Sequence, residues 1–404
     1  VQSSALEQLS SKIWPAALSM LAPQLGGHAL RKDGFMPFDI PFIKPVMPPP
    51  EEVAADVSQI VSSNWYTNFG PFERRFREQI AAYVGEVSAA TFSNATIGLQ
   101  AALTVMLAGK PAGLVIVPSF TFAAGPHAIR SAGHQPLFID IDPATLQPSA
   151  AHARSALNDY GDQVSAILLC NTFGIGTSVA EWEAMAQDAG IPLIIDSAAG
   201  FGSRYPDGHR LGARGDCEVF SFHATKPFAI GEGGALFSRD AEIATRAREF
   251  SNFGFSGLQG ATAAGTNGKL QEINAAIGIR QLSRFDAVIE SRRGVLESYR
   301  QVLESTGAGG LVPNADQSSV CFASVVFVDR DTRDHVVTSL RDQGIEARVY
   351  YAPPVHEQPT FADAAIAGDL HGTALISSRI ACLPVYEDLP ARALSALELA
   401  TLKQ

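Results

Sequence analysis

Downstream of Glu51 the apolar positions follow two alternating patterns. Helical i, i+3, i+4 spacing predicts helices over Glu51–Ser63, Pro71–Tyr83, Asn94–Leu107, Ala123–Ala132 and Val179–Ala189, with another from Asp240. Between them lie apolar runs of strand length, at Leu114–Val117, Gln135–Ile139, Ala166–Cys170, Leu193–Asp196, Cys217–His223 and Gly234–Ser238. Such strands, separated by helices, predict an α/β sheet covered on both faces. A long helix over Glu272–Arg293 leads into a remainder with helices near Arg333–Asp342 and Ala391–Lys403 and strands near Phe322–Val328 and Glu346–Val349. That pattern predicts a smaller α+β unit. Upstream, Ser4–Leu25 has helical spacing interrupted by Pro15, and the six prolines of Pro37–Pro50 predict extended chain. The expected division is a helical extension over 1–36, a large α/β domain over 37–285 and a small α+β domain over 286–404.

Composition narrows the function classes. With 46% hydrophobic and 18% charged residues, the 404-residue chain has globular composition. Its net charge of −11, with no Lys/Arg run longer than two, argues against a nucleic-acid partner. Cys170, Cys217, Cys321 and Cys382 have neither zinc-site nor redox-motif spacing and read as free thiols in a reducing compartment. No apolar run approaches the ~20 residues that span a bilayer. No secretory pattern opens the sequence. The expectation is a soluble, cytoplasmic protein without a membrane or metal partner.

Two segments carry the chemistry. In Leu193–Gly202 an apolar strand ends in Asp196, placing a carboxylate at the sheet edge where α/β ligands bind; the plainer reading is a helix or turn cap. In Val219–Gly234 a strand runs into Lys226, with Ser221, His223 and Thr225 beside it and a glycine-rich turn after it. Partial desolvation at the end of an apolar strand suits a Schiff-base amine. A strand-end acid and a strand-end lysine in successive elements point to pyridoxal 5′-phosphate (PLP), which takes a lysine on its aldehyde and an acid at its pyridine nitrogen. Thr91–Leu103 is a small-polar turn opening a helix, so Thr96 and the amides near Ile97 could face an anion, or merely cap a core helix. Phe122 could stack on the pyridine face, or be core.

These motifs, in this order, resemble the DegT/DnrJ/StrS family of PLP-dependent nucleotide-sugar aminotransferases, of aspartate-aminotransferase fold type I. The matching stretches are Asn68–Pro71, Ser93–Leu103, Pro118–Phe122, Asp196–Gly202, Ser221–Gly234, Gly265–Gly278, Tyr350–Phe361 and Cys382–Tyr386. The resemblance implies a large domain with a mostly parallel, seven-stranded-type sheet between helices and a smaller C-terminal α+β domain. It implies Lys226 as the lysine of the internal aldimine and proton shuttle, and Asp196 as the partner of the pyridinium nitrogen. It implies Phe122 as the stacking ring, and Thr96, the Ile97 amide and Ser221 as phosphate ligands. Asn267 resembles an asparagine that reaches the phosphate from the other subunit, which implies a homodimer with shared sites. His223, Tyr351 and His356 are candidate substrate residues, each equally readable as structural. The chain departs from relatives at Ala199, where many have Gln or His near the cofactor's 3′-oxygen, at Asn267-Gly-Lys-Leu270, and at Phe253-Gly254.

The expected activity is transfer of an amino group from L-glutamate, by way of pyridoxamine phosphate (PMP), to a keto group of a nucleotide-linked deoxysugar. The alternatives are a related enzyme acting on a non-nucleotide, cyclitol-like ketone and a PLP-binding regulator without turnover.

Overall fold

The computed structural model describes residues 38–257 and 260–402, so the helix read at Ser4–Leu25 lies outside the described residues. Helices α1 (Pro50–Ser63) and α2 (Pro71–Val84) open the described chain. Strand β1 (Ser88–Phe92) runs into α3 (Ala95–Met106), followed by β2 (Leu114–Pro118), α4 (Ala124–Ser131), β3 (Gln135–Ile139) and α5 (Ala150–Tyr160). Next come β4 (Val164–Cys170), α6 (Ala180–Ala189), β5 (Leu193–Asp196), β6 (Cys217–Ser221), β7 (Gly234–Ser238) and α7 (Ala241–Phe250). Helices α8 (Glu272–Leu282) and α9 (Phe285–Thr306) lead to β8 (Gly309–Leu311), β9 (Ala323–Phe327) and α10 (Arg330–Asp342). The chain closes with β10 (Ala365–Ile366), α11 (His371–Arg379), β11 (Ile380–Leu383) and α12 (Arg392–Leu402).

The main sheet has the order β1-β7-β6-β5-β4-β2-β3-β10. From β6 to β10 every neighbour is parallel, and near the other edge β7 alone is reversed, pairing antiparallel with both β6 and β1. This is the mixed α/β sheet the sequence predicts, with β10 added beside β3. Strand parity sorts its faces. Val115, Leu168, Ile194 and Val219 pack with α3, α4 and α7 on one side, while Ile116, Leu169, Ile195 and Phe220 pack with α2, α5, α6 and α8 on the other. A second, antiparallel sheet of order β11-β9-β8 forms a separate apolar cluster with α9, α10 and α12.

Three expectations change. The helix expected over Glu272–Arg293 is two helices, because Arg284 leaves helical geometry and Ser283 Oγ caps the carbonyl of Arg280 at 2.8 Å. The break redirects α9, so that Phe285 and Ile289 fill the main core and Tyr299 and Leu303 fill the second. The strand expected at Glu346–Val349 is no ladder; Ile345 bridges to Ile40 and Arg348 to Cys382 as single pairs. The extended chain after Phe38 is clamped there, with Ile40 and Phe42 buried in the second cluster although they precede the main sheet. Finally, Cys217–His223 is a strand only to Ser221, after which the chain turns.

One buried carboxylate joins two of these helices. Gly70, the residue before α2, offers that helix no side-chain cap. Glu272, wholly buried at the start of α8, accepts the free amides of Phe72 at 2.8 Å and Glu73 at 2.9 Å instead. A Cβ on Gly70 would lie 2.6 Å from that carboxylate, so glycine is required there. Glu272→Ala should therefore lower stability by about 1–3 kcal/mol in urea unfolding, since it strands one buried and one partly buried donor at a positive helix end. Glu272→Gln, which keeps one acceptor, should lose less.

Candidate active site

Parallel strands deliver their carboxyl ends to one edge, and here those of β4, β5 and β6 finish together. Cys170 is the register partner of Asp196, and Asp196 that of Val219. Because Leu168, Ile194 and Val219 face α3, alternation sends Cys170, Asp196 and Ser221 toward that same side. They border a cavity of about 590 Å³ that also takes in Thr96, Ile97, Phe122, His223, Lys226 and Tyr351. Eight of the ten residues singled out from sequence thus meet in one place. Asn267 and His356 are not among its lining residues.

The N-terminus of α3 forms one wall. Asn94 caps it, its Oδ1 accepting the Ile97 amide at 3.0 Å. That corrects one expectation: the Ile97 N–H is committed to the cap, and the amides of Ala95 and Thr96 are the ones without a partner among the described residues. Gly234 lets β7 pass directly beneath this turn, since a Cβ there would lie 2.7 Å from the Ala95 nitrogen.

Asp196 is 6% exposed. Its Oδ1 accepts the Ala198 amide at 3.0 Å, and its Oδ2 has no partner among the described residues. Burial holds its carboxyl above the usual range, opposed by the Ala198 amide and by the charge of Lys226. Lys226 lies in a turn closed by its own amide on the His223 carbonyl at 2.8 Å. Within that turn His223 Nδ1 accepts the Thr225 amide at 3.1 Å, and its Nε2 is 3.5 Å from Glu232. Phe122 stands 62% exposed at the cavity, not in the core. Tyr351 is stacked on Phe173 at 5.6 Å and meets Phe120 edge-on at 5.3 Å. His356 instead bonds Ser119 through Nδ1 outside the cavity, and burial lowers its pKa. Asn267 is exposed, its Oδ1 accepting from Lys269 at 2.7 Å.

Sequence reasoning passed over several groups here. Cys170, Thr121 and Asn171 line the cavity from β4 and the end of β2, and Cys321, Phe322 and Tyr350 reach it from the second sheet's side. Strand parity alone could have put Cys170 beside Asp196; nothing local marks the others. Behind the site, on the opposite face of the sheet, Glu218 is wholly buried. It accepts from Ser197 Oγ and the Gly212 amide, and Asn171 Nδ2 bonds Ser197 Oγ at 2.7 Å. Burial pushes the Glu218 carboxyl up to about 7, against these hydrogen bonds.

A profile of the DegT/DnrJ/EryC1/StrS aminotransferase family matches residues 50–396. The chain belongs to that family. It is 45% identical to Protein Rv3402c of Mycobacterium tuberculosis over 96% of this chain and 93% of the relative. It is 29% identical to a dTDP-4-amino-4,6-dideoxy-D-glucose transaminase of Shigella dysenteriae over 86% of this chain and 94% of the relative. A solved structure assigned as a PLP-dependent aminotransferase, from Bacillus cereus, superposes with a TM-score of 0.84 at 31% identity, covering 90% of this chain and all of that one. The protein is an aminotransferase, and its cofactor is PLP, alternating with PMP. No helix among the described residues is long and apolar enough to cross a membrane.

The buried Glu218 gives this aminotransferase a pH signature. Its carboxyl titrates near 7 in the folded chain, against roughly 4.3 unfolded. The native state therefore keeps a proton that the unfolded chain has lost, so this group's contribution declines as pH rises from about 4 to about 7. Glu218→Gln, which stays neutral, should flatten that decline in Tm measured between about pH 5 and about pH 8.

Proposed function

We propose that this aminotransferase moves an amino group from L-glutamate to a keto group of a nucleotide-linked deoxysugar. The observation that carries the reading is one cavity in which a lysine amine, a buried carboxylate with a bare oxygen, and an amide-presenting helix end share one face of the sheet. The acceptor class is supported by the dTDP-sugar transaminase of Shigella dysenteriae, which aligns over most of the chain. The donor follows from the family resemblance.

These groups fit PLP. When bound, it supplies an electron sink that labilises the C–H bond beside the substrate nitrogen. Asp196, held above its usual range by burial in the protein alone, would gain a cationic partner in a protonated ring nitrogen, with its Oδ2 the oxygen free to accept that proton's hydrogen bond. Phe122 would cover one ring face. Thr96, Ser221 and the free amides of α3 would hold the phosphate, with the helix dipole assisting. Lys226 Nζ would be the covalent anchor and, once released, the base and acid that carries the proton across the substrate carbon. His223, fixed by Thr225, and Tyr351 border the remaining space, where the substrate would lie.

The site also fits sharing between two copies. Asn267 lies on an exposed loop that presents Phe253 and Phe255, at 47% and 44% exposure. Trp65 and Tyr66 are exposed at 43% and 49% on the segment between α1 and α2. These rings would be covered in a homodimer in which Asn267 reaches the partner's phosphate.

L-Glutamate should convert the bound cofactor to PMP with release of 2-oxoglutarate, and PMP enzyme should regain its absorbance with a dTDP-keto-deoxysugar. A spectrum indifferent to saturating glutamate would exclude that donor. Lys226→Ala should lose about 10²–10⁴ in kcat and should yield no borohydride adduct. Asp196→Asn should lose far more in kcat than in cofactor affinity. Asn267→Asp puts a carboxylate against the phosphate and should be inactive by itself. Re-associated with Lys226→Ala, it should restore about a quarter of wild-type activity, because about half the dimers are mixed and each of those has one intact site. Proven subunit exchange without recovery would place Asn267 in its own chain's site.

A further inference from the structure

The order of strands beneath the cavity fixes which edge of the cofactor faces which residue. Across the sheet run Ser221 on β6, Asp196 on β5, Cys170 on β4 and, just past β2, Thr121. In PLP the ring nitrogen and the aldehyde carbon lie at opposite ends of one axis. The phosphate arm leaves one edge of that axis, and the phenolic oxygen and methyl group occupy the other. With Asp196 at the nitrogen and the phosphate on the Ser221 and α3 side, the phenolic edge turns toward β4. Cys170 is the residue there, side by side with Asp196 in register and under the influence of both the Asp196 and Lys226 charges.

Two neighbours of that edge offer it no donor, and the Tyr351 hydroxyl, which also borders the cavity, is the rival that the test below separates. Asn171 Nδ2 is turned to Ser197 on the opposite face, at 2.7 Å. Ala199 lines the cavity with a methyl group. Thr121, 3% exposed, donates its hydroxyl to Cys170 Sγ at 3.3 Å and Thr172 also acts on that sulfur, so it is oriented as an acceptor from threonine while its own S–H can turn to a bound group. Burial, with the Asp196 charge beside it, pushes the Cys170 thiol up to about 12, so it stays protonated and can only be a donor to an anionic oxygen.

We propose that the Cys170 thiol, held by Thr121, donates a hydrogen bond to the phenolic oxygen of the bound cofactor. The assignment rests on Asp196 and Lys226 marking the two ends of the ring as proposed above. It gives Cys170 a positioning and tuning role: a donor at this oxygen withdraws charge from it and favours the deprotonated form of the imine between Lys226 and the cofactor.

The test is an absorbance titration of the holoenzyme against pH, without substrate. Cys170→Ala should raise the midpoint of the imine band by roughly half to one pH unit, the worth of one neutral hydrogen bond. Cys170→Ser, nearly isosteric and a stronger donor, should bring the midpoint to or below that of wild type. Thr121→Val, which unfastens the sulfur, should shift it up by less than Cys170→Ala. An unmoved midpoint in Cys170→Ala, or a raised one in Cys170→Ser, overturns the assignment. So does a shift found in Tyr351→Phe and not in the Cys170 variants, which would make the Tyr351 hydroxyl the donor. Wild-type protein with no titrating band and no borohydride adduct on Lys226 would overturn the cofactor placement itself, a result separable from the others because it precedes any substitution.

Discussion

A carboxylate taken out of water needs a compensating charge, and Asp196 is 6% exposed at the end of an apolar strand. Within the chain it finds one amide, that of Ala198, and the charge of Lys226. Both are products of the same turn geometry at the carboxyl ends of β5 and β6. The parallel alignment of β4, β5 and β6 is what makes this economical: three strands finish at one edge, and each contributes a polar residue on the α3 side. The site is therefore a consequence of sheet direction and pleat parity. In the proposed reading a cationic ring nitrogen would offset the cost that burial imposes on Asp196, which would tie cofactor binding to the stability of this edge.

The opposite face of the sheet keeps that edge in register. Asn171 donates its backbone amide to the Asp196 carbonyl at 2.9 Å and its side chain to Ser197, while Glu218 gathers Ser197 and the Gly212 amide. Below it, Phe201 meets Phe222 at 5.2 Å and Phe228 at 4.9 Å, and Phe228 meets Phe285 at 4.9 Å. Phe222 and Phe228 flank the turn that carries Lys226, so the amine stands on a packed aromatic base. Movement of the lysine's backbone would disturb several of these contacts at once. That rigidity suits the proton-carrying role proposed for Lys226.

The second sheet completes the cavity from the other side. Its aromatic wall includes Phe322, 5.7 Å from Tyr350 and 5.3 Å from Phe173, and Phe120, just past β2, ties it to the first sheet through Phe173 and Tyr351. The cavity is thus formed between elements that are far apart in the chain. Helix α9 spans both cores, and the break at Arg284 is what lets it do so.

Asp196 could be read from sequence because it closes an apolar strand, and Lys226 because it sits in the turn that follows the next one, and strand ends are visible in local patterning. The helix opening at Ala95 was visible for the same reason, since Asn94 caps it, but which of its amides stayed free was not: that depends on where the Asn94 side chain turns. His356 looked equivalent to His223, and only the fold shows it spent on Ser119 outside the cavity. Cys170 looked like an idle thiol, having no cysteine partner at any useful spacing. Its meaning lies in the register of β4 against β5, a pairing between residues 26 apart in sequence that hydrogen bonding across the sheet, not local composition, selects. The sequence alone determined the alternation of strands and helices, the acid at one strand end and the amine just beyond the next, and hence the kind of cofactor. Tertiary structure decided which neighbours face them, because side-chain direction follows strand parity while adjacency across strands follows sheet order, and only the folded sheet sets the second.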